Sequence, residues 1–291
     1  YYNIYGLKEI VTLVFIVKSI LSLTYVFIFY FWFAPILSSD FPKMFEKLTE
    51  RIKNERQCPQ GFAIFQSHFA EFSDNDWALH KQFIESGYFP NTIEAALKTD
   101  DLDLLISLLN TTDNQIGMNK YIEPSCLHIS RYLQQSPTLI QFSAFFGSRK
   151  CFSYLFANGA SLDLSRNLTS AHFASAGGCI DIIHDVNSKC TFSDGCLQMA
   201  AYSHRNNVFY WLYDKYISEI LLQESEAFLP PIFFAITSNN VELVHFIVSQ
   251  MLEYFDEAQM NLMQQYAQVP QSNLNEAWKL FTIFICTLVR K

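Results

Sequence analysis

Five cysteine and histidine side chains lie close together in the middle of the sequence, and they are the first candidates for chemistry. Thiolate sulfur and imidazole nitrogen are the usual ligands of structural zinc, and paired cysteines in such sites are roughly two to four residues apart. No two cysteines of this group have that spacing. We therefore expect no metal site and interpret these cysteines as reduced thiols in a core. The five residues are Cys179, His184, Cys190, Cys196 and His204.

Other patterns of reactive residues are equally weak. The run Asp100-Asp101-Leu102-Asp103 resembles half of an acidic metal loop, but it lacks the glycine and the final glutamate, so a polar turn is expected. His172 is interpreted as a hydrogen-bonding residue at the start of a helix. The phosphate-binding, dinucleotide-binding, nucleophile-elbow and zinc-protease motifs do not occur. The sequence predicts a non-enzymatic protein without cofactor, metal or small-molecule substrate, although no pattern eliminates a cysteine–histidine pair.

Composition limits the kinds of partner. The net charge of -8 and the lack of a basic patch argue against a nucleic-acid surface. Half of the residues are apolar, which allows a large core. Charged residues make up 16%, below the roughly 25% of ordinary soluble domains, and this deficit suggests a membrane segment.

One long apolar run lies near the start of the chain. Ile10–Leu37 contains 28 residues and one charge, Lys18, which is long enough to cross a bilayer as a tilted helix. Five basic residues follow it closely, so the positive-inside rule would place everything after residue 38 in the cytosol. The first methionine is Met44, however, so a soluble cytosolic protein with a misplaced chain start is the alternative. The basic residues are Lys43, Lys47, Arg51, Lys53 and Arg56.

The stretch from Thr138 to Asp163 predicts two short helices joined by a turn. Gly147 should end the first helix, since glycine adopts the left-handed αL conformation most easily. Cys151, Phe152, Leu155 and Phe156 then form an apolar stripe on a second helix. Such a unit cannot bury both faces alone, so it needs copies of itself on either side.

Four degenerate copies accompany that stretch, so that equivalent segments start at residues 91, 138, 169, 195 and 230. Small residues in each first helix should allow neighbouring helices to approach closely. They are Ala96, Ser143-Ala144, Ala174-Ser175, Ala200-Ala201 and Ala235. The predicted turn residues are Asp100, Gly147, Gly178, His204 and Asn239.

These segments resemble ankyrin repeats, whose pattern is T-P-L-H-x-A-A-x-x-G, an apolar second helix, and G-A-D-V-N. Thr138–Asp163 follows the pattern along its length, although no copy keeps the whole T-P-L-H box; His172 holds the histidine position, and Pro231 holds the proline position. The degenerate form is similar to divergent ankyrin-like domains of unknown function that are expanded in some protists. The resemblance implies an all-α fold, an ankyrin-like helix-pair solenoid, preceded here by the N-terminal hydrophobic helix.

The expected organisation has four parts. They are a transmembrane helix at 10–37, a helical linker or capping region at 40–90, about five degenerate repeats at 91–255, and a helical tail at 256–291. The copies depart from the pattern, because Gln141, Gln198 and, in the last copy, Phe233 replace the histidine. The wide gap between the first two copies implies either an inserted loop, 111–137, or a missed helix pair near 125–133.

Binding of a protein partner is the function that these features favour. In repeat stacks, partners contact the concave face and the hairpin tips. The residues just before each turn should face that side, and there Phe145, Phe146 and Tyr202 are aromatic, as interface hot spots often are. Arg166 and Arg205 lie near loop tips and are weaker candidates. Burial of the aromatics in an irregular stack is one alternative, and an enzyme or metal protein on the same scaffold is another.

Overall fold

Helices make up the regular structure of the part of the chain that can be described. A computed structural model describes residues 23–54, 65–66, 69–110, 117–128, 130, 132–162, 168–190, 192, 194–217 and 229–254. Within these ranges no strand occurs, and the one pairing of extended backbone is an isolated antiparallel bridge between Tyr121 and Thr138. The predicted all-α class is confirmed for the described residues.

Two compact units divide the chain. Unit one takes Tyr1–Ala95 and Glu123–Ser136, and unit two takes Ala96–Ile122 and Pro137–Lys291. The chain therefore passes from unit one to unit two, back to unit one, and again to unit two.

Four helices form the described part of unit one, and prolines explain where two of them begin. Pro35 and Pro42 lie in the first turns of α2 and α3, where a missing backbone N–H costs nothing. The last helix is interrupted by three left-handed residues, Asn75, Asp76 and Trp77. The helices are α1 (Leu23–Trp32), α2 (Ala34–Asp40), α3 (Pro42–Lys53) and α4 (Phe69–Ser86).

Aromatic side chains fill the core of unit one. Tyr30 and Phe31 of α1 are fully buried, and Phe31 packs edge-on against Phe65 with ring centroids 5.1 Å apart. Trp32 Nε1 donates a hydrogen bond to the carbonyl oxygen of Cys126 at 2.8 Å. His80, also buried, places Nε2 2.7 Å from the carbonyl oxygen of Phe31. The described part of the apolar run thus supplies core residues of a helical unit.

The membrane helix expected at Ile10–Leu37 begins in residues 10–22, which lie outside the described ranges. None of the helices that can be described is both long and apolar enough to cross a bilayer. The expectation for the whole run remains a prediction.

The described part of unit two contains helix pairs, in each of which a short turn joins a first and a second helix. The boundary between the units falls inside α5, and α12 continues into a π-helical turn, Tyr213–Ile217. The pairs are α5 (Ile93–Thr99) with α6 (Leu102–Asn110), α7 (Leu139–Phe146) with α8 (Arg149–Ala157), α9 (Ser170–Gly177) with α10 (Ile180–Asn187), α11 (Asp194–Tyr202) with α12 (Asn206–Leu212), and α13 (Leu229–Thr237) with α14 (Val241–Tyr254).

The turn inside every pair lies at the predicted residue, and the left-handed conformation predicted for Gly147 occurs in all five. All five predicted residues have positive φ: 55° at Asp100, 70° at Gly147, 79° at Gly178, 56° at His204 and 59° at Asn239. Non-glycine residues in this region are uncommon, and Asp, Asn and His are the types that tolerate it best. The prediction of these turns from residue type and spacing is confirmed.

The first helices of the last four pairs pack side by side. α9 contacts α7 and α11, and α11 contacts α13. The small residues predicted for close approach lie in these contacts with almost no exposure, as Ala144, Ala174, Ala200 and Ala235 illustrate. Small side chains let the backbones approach, and the second helices cover the other face of each pair.

The long stretch of sequence between the first and second pairs includes a segment that belongs to unit one. Residues 123–136 belong to that unit, and among their described positions the regular element is one short 3₁₀ turn, Leu133–Gln135. A helix pair near 125–133 is therefore not found, and the expected alternative, an insertion, is what the described residues form. Ile122 N donates to Pro137 O at 2.7 Å, so the insertion leaves and re-enters unit two at one place.

Candidate partner-binding surface

Four of the proposed partner-binding residues, Phe145, Phe146, Tyr202 and Arg205, lie on one row in unit two, which we call the turn row. It comprises residues 145–148, 176–179, 202–205 and 237–240, and it leaves out the equivalent segment of the first pair, 98–101, where Lys98 and Thr99 are also expected on the partner side. Each segment contains the last two positions before the left-handed residue, that residue, and the one after it. Since the first helices pack side by side, these segments lie next to one another in the order of the pairs.

Capping boxes fix the starts of α7 and α9, whose far ends carry the first two segments. In α7, Thr138 N donates to Gln141 Oε1 at 3.0 Å. In α9, Thr169 N donates to His172 Nδ1 at 3.1 Å. Gln141 thus makes the same contact as His172, although it departs from the repeat pattern. Burial lowers the pKa of His172, which keeps the ring neutral and able to accept this hydrogen bond.

Phe145 and Phe146 form the first aromatic ridge of the turn row. Phe146 is 36% exposed, whereas Phe145 is half-buried. The ammonium of Lys98 lies 5.0 Å from the ring centroid of Phe146, within cation–π range. Phe145 packs against Phe173 of α9, and the centroids of the two rings are 6.4 Å apart. The alternative of complete burial therefore does not hold for Phe146.

Tyr202 and Phe234 form the second aromatic ridge. Their ring centroids are 6.2 Å apart, and both rings are half-buried. Tyr202 and Phe234 hold the same positions in their pairs as Phe145 and Phe173 do in theirs. In both cases the first residue lies two positions before the left-handed residue of its own turn, and the second lies five positions before that of the next turn. The same packing rule thus places an aromatic ridge at two different junctions.

A dip without large side chains separates the two ridges. The segment between them contains Ala176, which is buried, followed by Gly177 and Gly178. A Cβ atom at Gly177 would collide with the carbonyl oxygen of Ala144, so glycine is what allows α9 to approach α7 this closely. A Cβ at Gly178 would lie 2.7 Å from Arg205 Cδ.

Arg205 occupies the dip. Its Nε donates to the carbonyl oxygen of Ala176 at 3.1 Å, and its side chain passes over Gly178. The residue is exposed, and no carboxylate of the described ranges lies within ion-pair distance of its guanidinium. The neighbouring His204 places Nε2 2.8 Å from Ser238 O, which ties the next segment to this one.

Arg166, the remaining candidate, lies outside the described residues. The sequence analysis missed two polar residues that shape the surface. Arg149 donates a hydrogen bond to Asp185 of the next pair, and this contact raises the pKa of its guanidinium. Asn240 is buried, and its amide donates to Ala201 O at 3.0 Å and to Asn206 Oδ1 at 2.8 Å. Their partners are 34 to 39 residues away, so no local signal could have identified them.

Two of the candidate reactive residues, Cys179 and His204, belong to the turn row, and the others lie outside it. Burial raises the pKa of the Cys151 thiol to about 12, and Asp100 adds to this effect, so that thiol is a poor nucleophile. Cys196 is buried, and Cys179 is half-buried beside Gly147. Within the described ranges, no three histidine, cysteine or acidic side chains come together as metal ligands would.

Comparison with known proteins adds no identification. No protein-family model matches the chain, and a search of curated proteins finds no significant relative. What is established is therefore an all-helical arrangement of the described residues, with helix pairs in the second unit.

Proposed function

We propose that the chain is a non-enzymatic protein-interaction scaffold of the ankyrin-repeat type, and that the turn row binds its partner. The observation that carries the proposal is the repeated register. Five turns with left-handed geometry and side-by-side first helices support a nearest-neighbour stack. The solvent-exposed edge of Phe146 and the exposed guanidinium of Arg205 support binding on this row.

Capture of a partner by the full chain tests the proposal. Phe146→Ala should weaken capture severalfold, because truncation of an exposed aromatic anchor removes contact area. Phe156→Ala is the matched control, since Phe156 is a half-buried aromatic at the end of α8, remote from the turn row. Equal binding by wild type and Phe146→Ala would contradict the proposal. Loss of the helical circular-dichroism signal would identify Phe146 as a core residue.

The proposal has a tethered form and a cytosolic form, which differ in the use of the run from residue 10 to residue 37. The tethered form places the repeats in the cytosol. Carbonate extraction of membranes from cells that express the full chain separates the two forms. Retention in the pellet supports the tether, and complete release into the supernatant eliminates it.

A further inference from the structure

We propose that the turn row binds an extended acidic peptide, with a carboxylate held by Arg205 in the dip and a large apolar side chain on each aromatic ridge. This inference rests on the proposed function and names the chemistry of its partner. The partner would present an apolar residue, an acidic residue and a second apolar residue along one strand-like segment.

The charge of the turn row selects an acidic partner. The chain as a whole has 28 acidic and 20 basic residues. In the four segments of the turn row, however, no carboxylate occurs, and Arg205 is the one permanent charge. The equivalent segment of the first pair, 98–101, contains Lys98, Asp100 and Asp101, and the Asp100 carboxylate is bound by the backbone N–H groups of Lys150 and Cys151. A carboxylate placed here would meet a guanidinium without an opposing acidic side chain in the same segments.

The hydrogen bonds of Arg205 leave its charge available. A guanidinium has five N–H donors in a planar fork, which suits two-point binding of a carboxylate. The Nε–H is used by Ala176 O, and this contact holds the fork over Gly178. The described residues provide no hydrogen-bond acceptor for the terminal amino groups. Arg149, the comparable arginine of the second pair, already binds Asp185 and lies beside Asp181.

The separation of the two ridges determines the length of the peptide. α7 and α11 are two helix spacings apart, because α9 lies between them. Packed helices are about 8–10 Å apart, so the ridges are separated by roughly 16–20 Å. An extended chain advances about 3.3 Å per residue, so the second apolar anchor lies about five or six residues after the first. The acidic residue lies between these two anchors.

Selection from a random peptide library displayed on phage, with the folded full chain as bait, provides the probe. We expect enriched sequences to contain an acidic residue between two large apolar residues at about that spacing. Synthetic peptides with Glu or Gln at the acidic position are then titrated against wild type, Arg205→Gln, Arg205→Lys, Phe146→Ala and Tyr202→Ala.

The ratio of the two peptide affinities is the decisive measurement, because it is internal to each variant and independent of its stability. Replacement of Glu by Gln should weaken binding about tenfold in the wild type and less than about twofold in Arg205→Gln. Arg205→Lys should give an intermediate ratio, because it keeps the charge and loses the fork.

Three other outcomes of the selection and the peptide titrations would contradict one or both proposals. Peptides that require Phe146 and Tyr202 but bind equally well with Glu and Gln would overturn the acidic-peptide inference and leave the proposed function intact. If no peptide is enriched, the acidic-peptide inference fails, and the capture experiment with Phe146→Ala decides the proposed function. If the enriched peptides bind Phe146→Ala and Tyr202→Ala as strongly as wild type, both proposals fail.

Discussion

Two different side chains perform one task at the starts of α7 and α9. Gln141 and His172 each accept a hydrogen bond from the backbone N–H of a threonine three residues earlier. A helix N-terminus leaves its first N–H groups without helical partners, so either acceptor stabilises the first turn. The two acceptors differ in one respect: an amide does not titrate, whereas imidazole loses its acceptor at Nδ1 when it is protonated.

Stability should therefore fall in acid through His172. Its folded-state pKa is lowered from the ordinary value of 6.5, so its contribution is complete above pH 6.5 and is lost as the pH falls through the folded pKa. The free energy of unfolding, measured by urea titration from pH 7 to pH 5, should decrease more for wild type than for His172→Gln. Other histidines affect both proteins alike. Identical pH profiles would show that His172 makes no such contribution.

Gly177 is predicted to be intolerant of a methyl group. Gly177→Ala should lower the free energy of unfolding by about 1–3 kcal/mol, because the added Cβ collides with the carbonyl oxygen of Ala144. Gly117→Ala is the matched control, since no heavy atom lies within 4 Å of a Cβ there. Urea unfolding of both variants measures the difference. A neutral Gly177→Ala would mean that α7 and α9 can move apart at little cost.

The residues that sequence reasoning identified are those whose role is local. Gly147 and Gly178 could be predicted as turns because glycine is favoured at positive φ. Asp100, His204 and Asn239 followed from the repeat register, and their residue types are those that tolerate the same conformation. The guanidinium of Arg205 could be placed near a loop, but its bond to Ala176 O depends on the packing of two pairs.

Successive helix pairs are linked at their turns by a recurring hydrogen bond. The residue after the left-handed position donates to a carbonyl at the end of the preceding first helix: Ser148 to Leu97 O, Arg205 to Ala176 O, and Asn240 to Ala201 O. The last carbonyls of a helix have no partner within that helix. Each link therefore satisfies an acceptor of one pair with a donor of the next.

Asp100 is predicted to join the first and second pairs. Its carboxylate accepts hydrogen bonds from Lys150 N at 3.1 Å and Cys151 N at 2.9 Å, at the start of α8. Asp100→Ala should cost about 2–3 kcal/mol, because it removes both bonds and places alanine at positive φ. Asp100→Asn should cost roughly half as much, since it keeps one oxygen acceptor and tolerates the turn. Thermal unfolding of the two variants compares them, and equal midpoints would contradict this ranking.

Asn240 is predicted to join the fourth and fifth pairs. Asn240→Ala should lower the free energy of unfolding by about 1–3 kcal/mol, because the carbonyl of Ala201 loses the amide that now binds it. Asn158→Ala provides the control: its amide is exposed and bonds Tyr154 O of its own helix, so the loss should be below about 1 kcal/mol. Urea titration measures both, and equal losses would mean that burial of Asn240 has no special effect.

The described part of the apolar run shows what hydropathy alone does not predict about an element. Length and apolarity predict one continuous helix from 10 to 37, yet the described part has separate helices on either side of Phe33. Pro35 lies in the first turn of the second helix, where it prevents continuation of the first. Hydropathy does not distinguish an aromatic protein core from lipid, and the contacts of Phe31 with Phe65 and His80 are long-range.

At the scale of the whole chain, the division into two units depends on the segment 123–136. Cys126 and Leu127 are buried in unit one, and the carbonyl of Cys126 accepts the Trp32 hydrogen bond. The flanks of the segment are held together in unit two, where Leu139 N also donates to Lys120 O at 3.0 Å. The repeat register indicated an insertion, but only the fold shows which unit receives it.

Excision of this segment should affect the units unequally. If residues 123–136 are replaced by a short Gly-Ser turn, unit two should lose less than about 1 kcal/mol, because the ends are already adjacent. Unit one should unfold at a lower urea concentration, because it loses Cys126 and Leu127 from its core. Tryptophan fluorescence and far-ultraviolet circular dichroism follow the transitions. If both signals show one common unfolding transition, shifted by the same amount, the two units do not differ in their response and the prediction is wrong.

The interleaved order of the two units has a consequence for protein synthesis. A ribosome completes the sequence of α5 and α6 before Cys126 and Leu127 exist. The hydrophobic core around Tyr30 and Phe31 therefore lacks Cys126 and Leu127 while the first helices of unit two are being synthesised. During that interval the aromatic side chains of this core are incompletely covered, so binding of chaperones to the nascent chain should be strongest before residue 136 leaves the ribosomal exit tunnel.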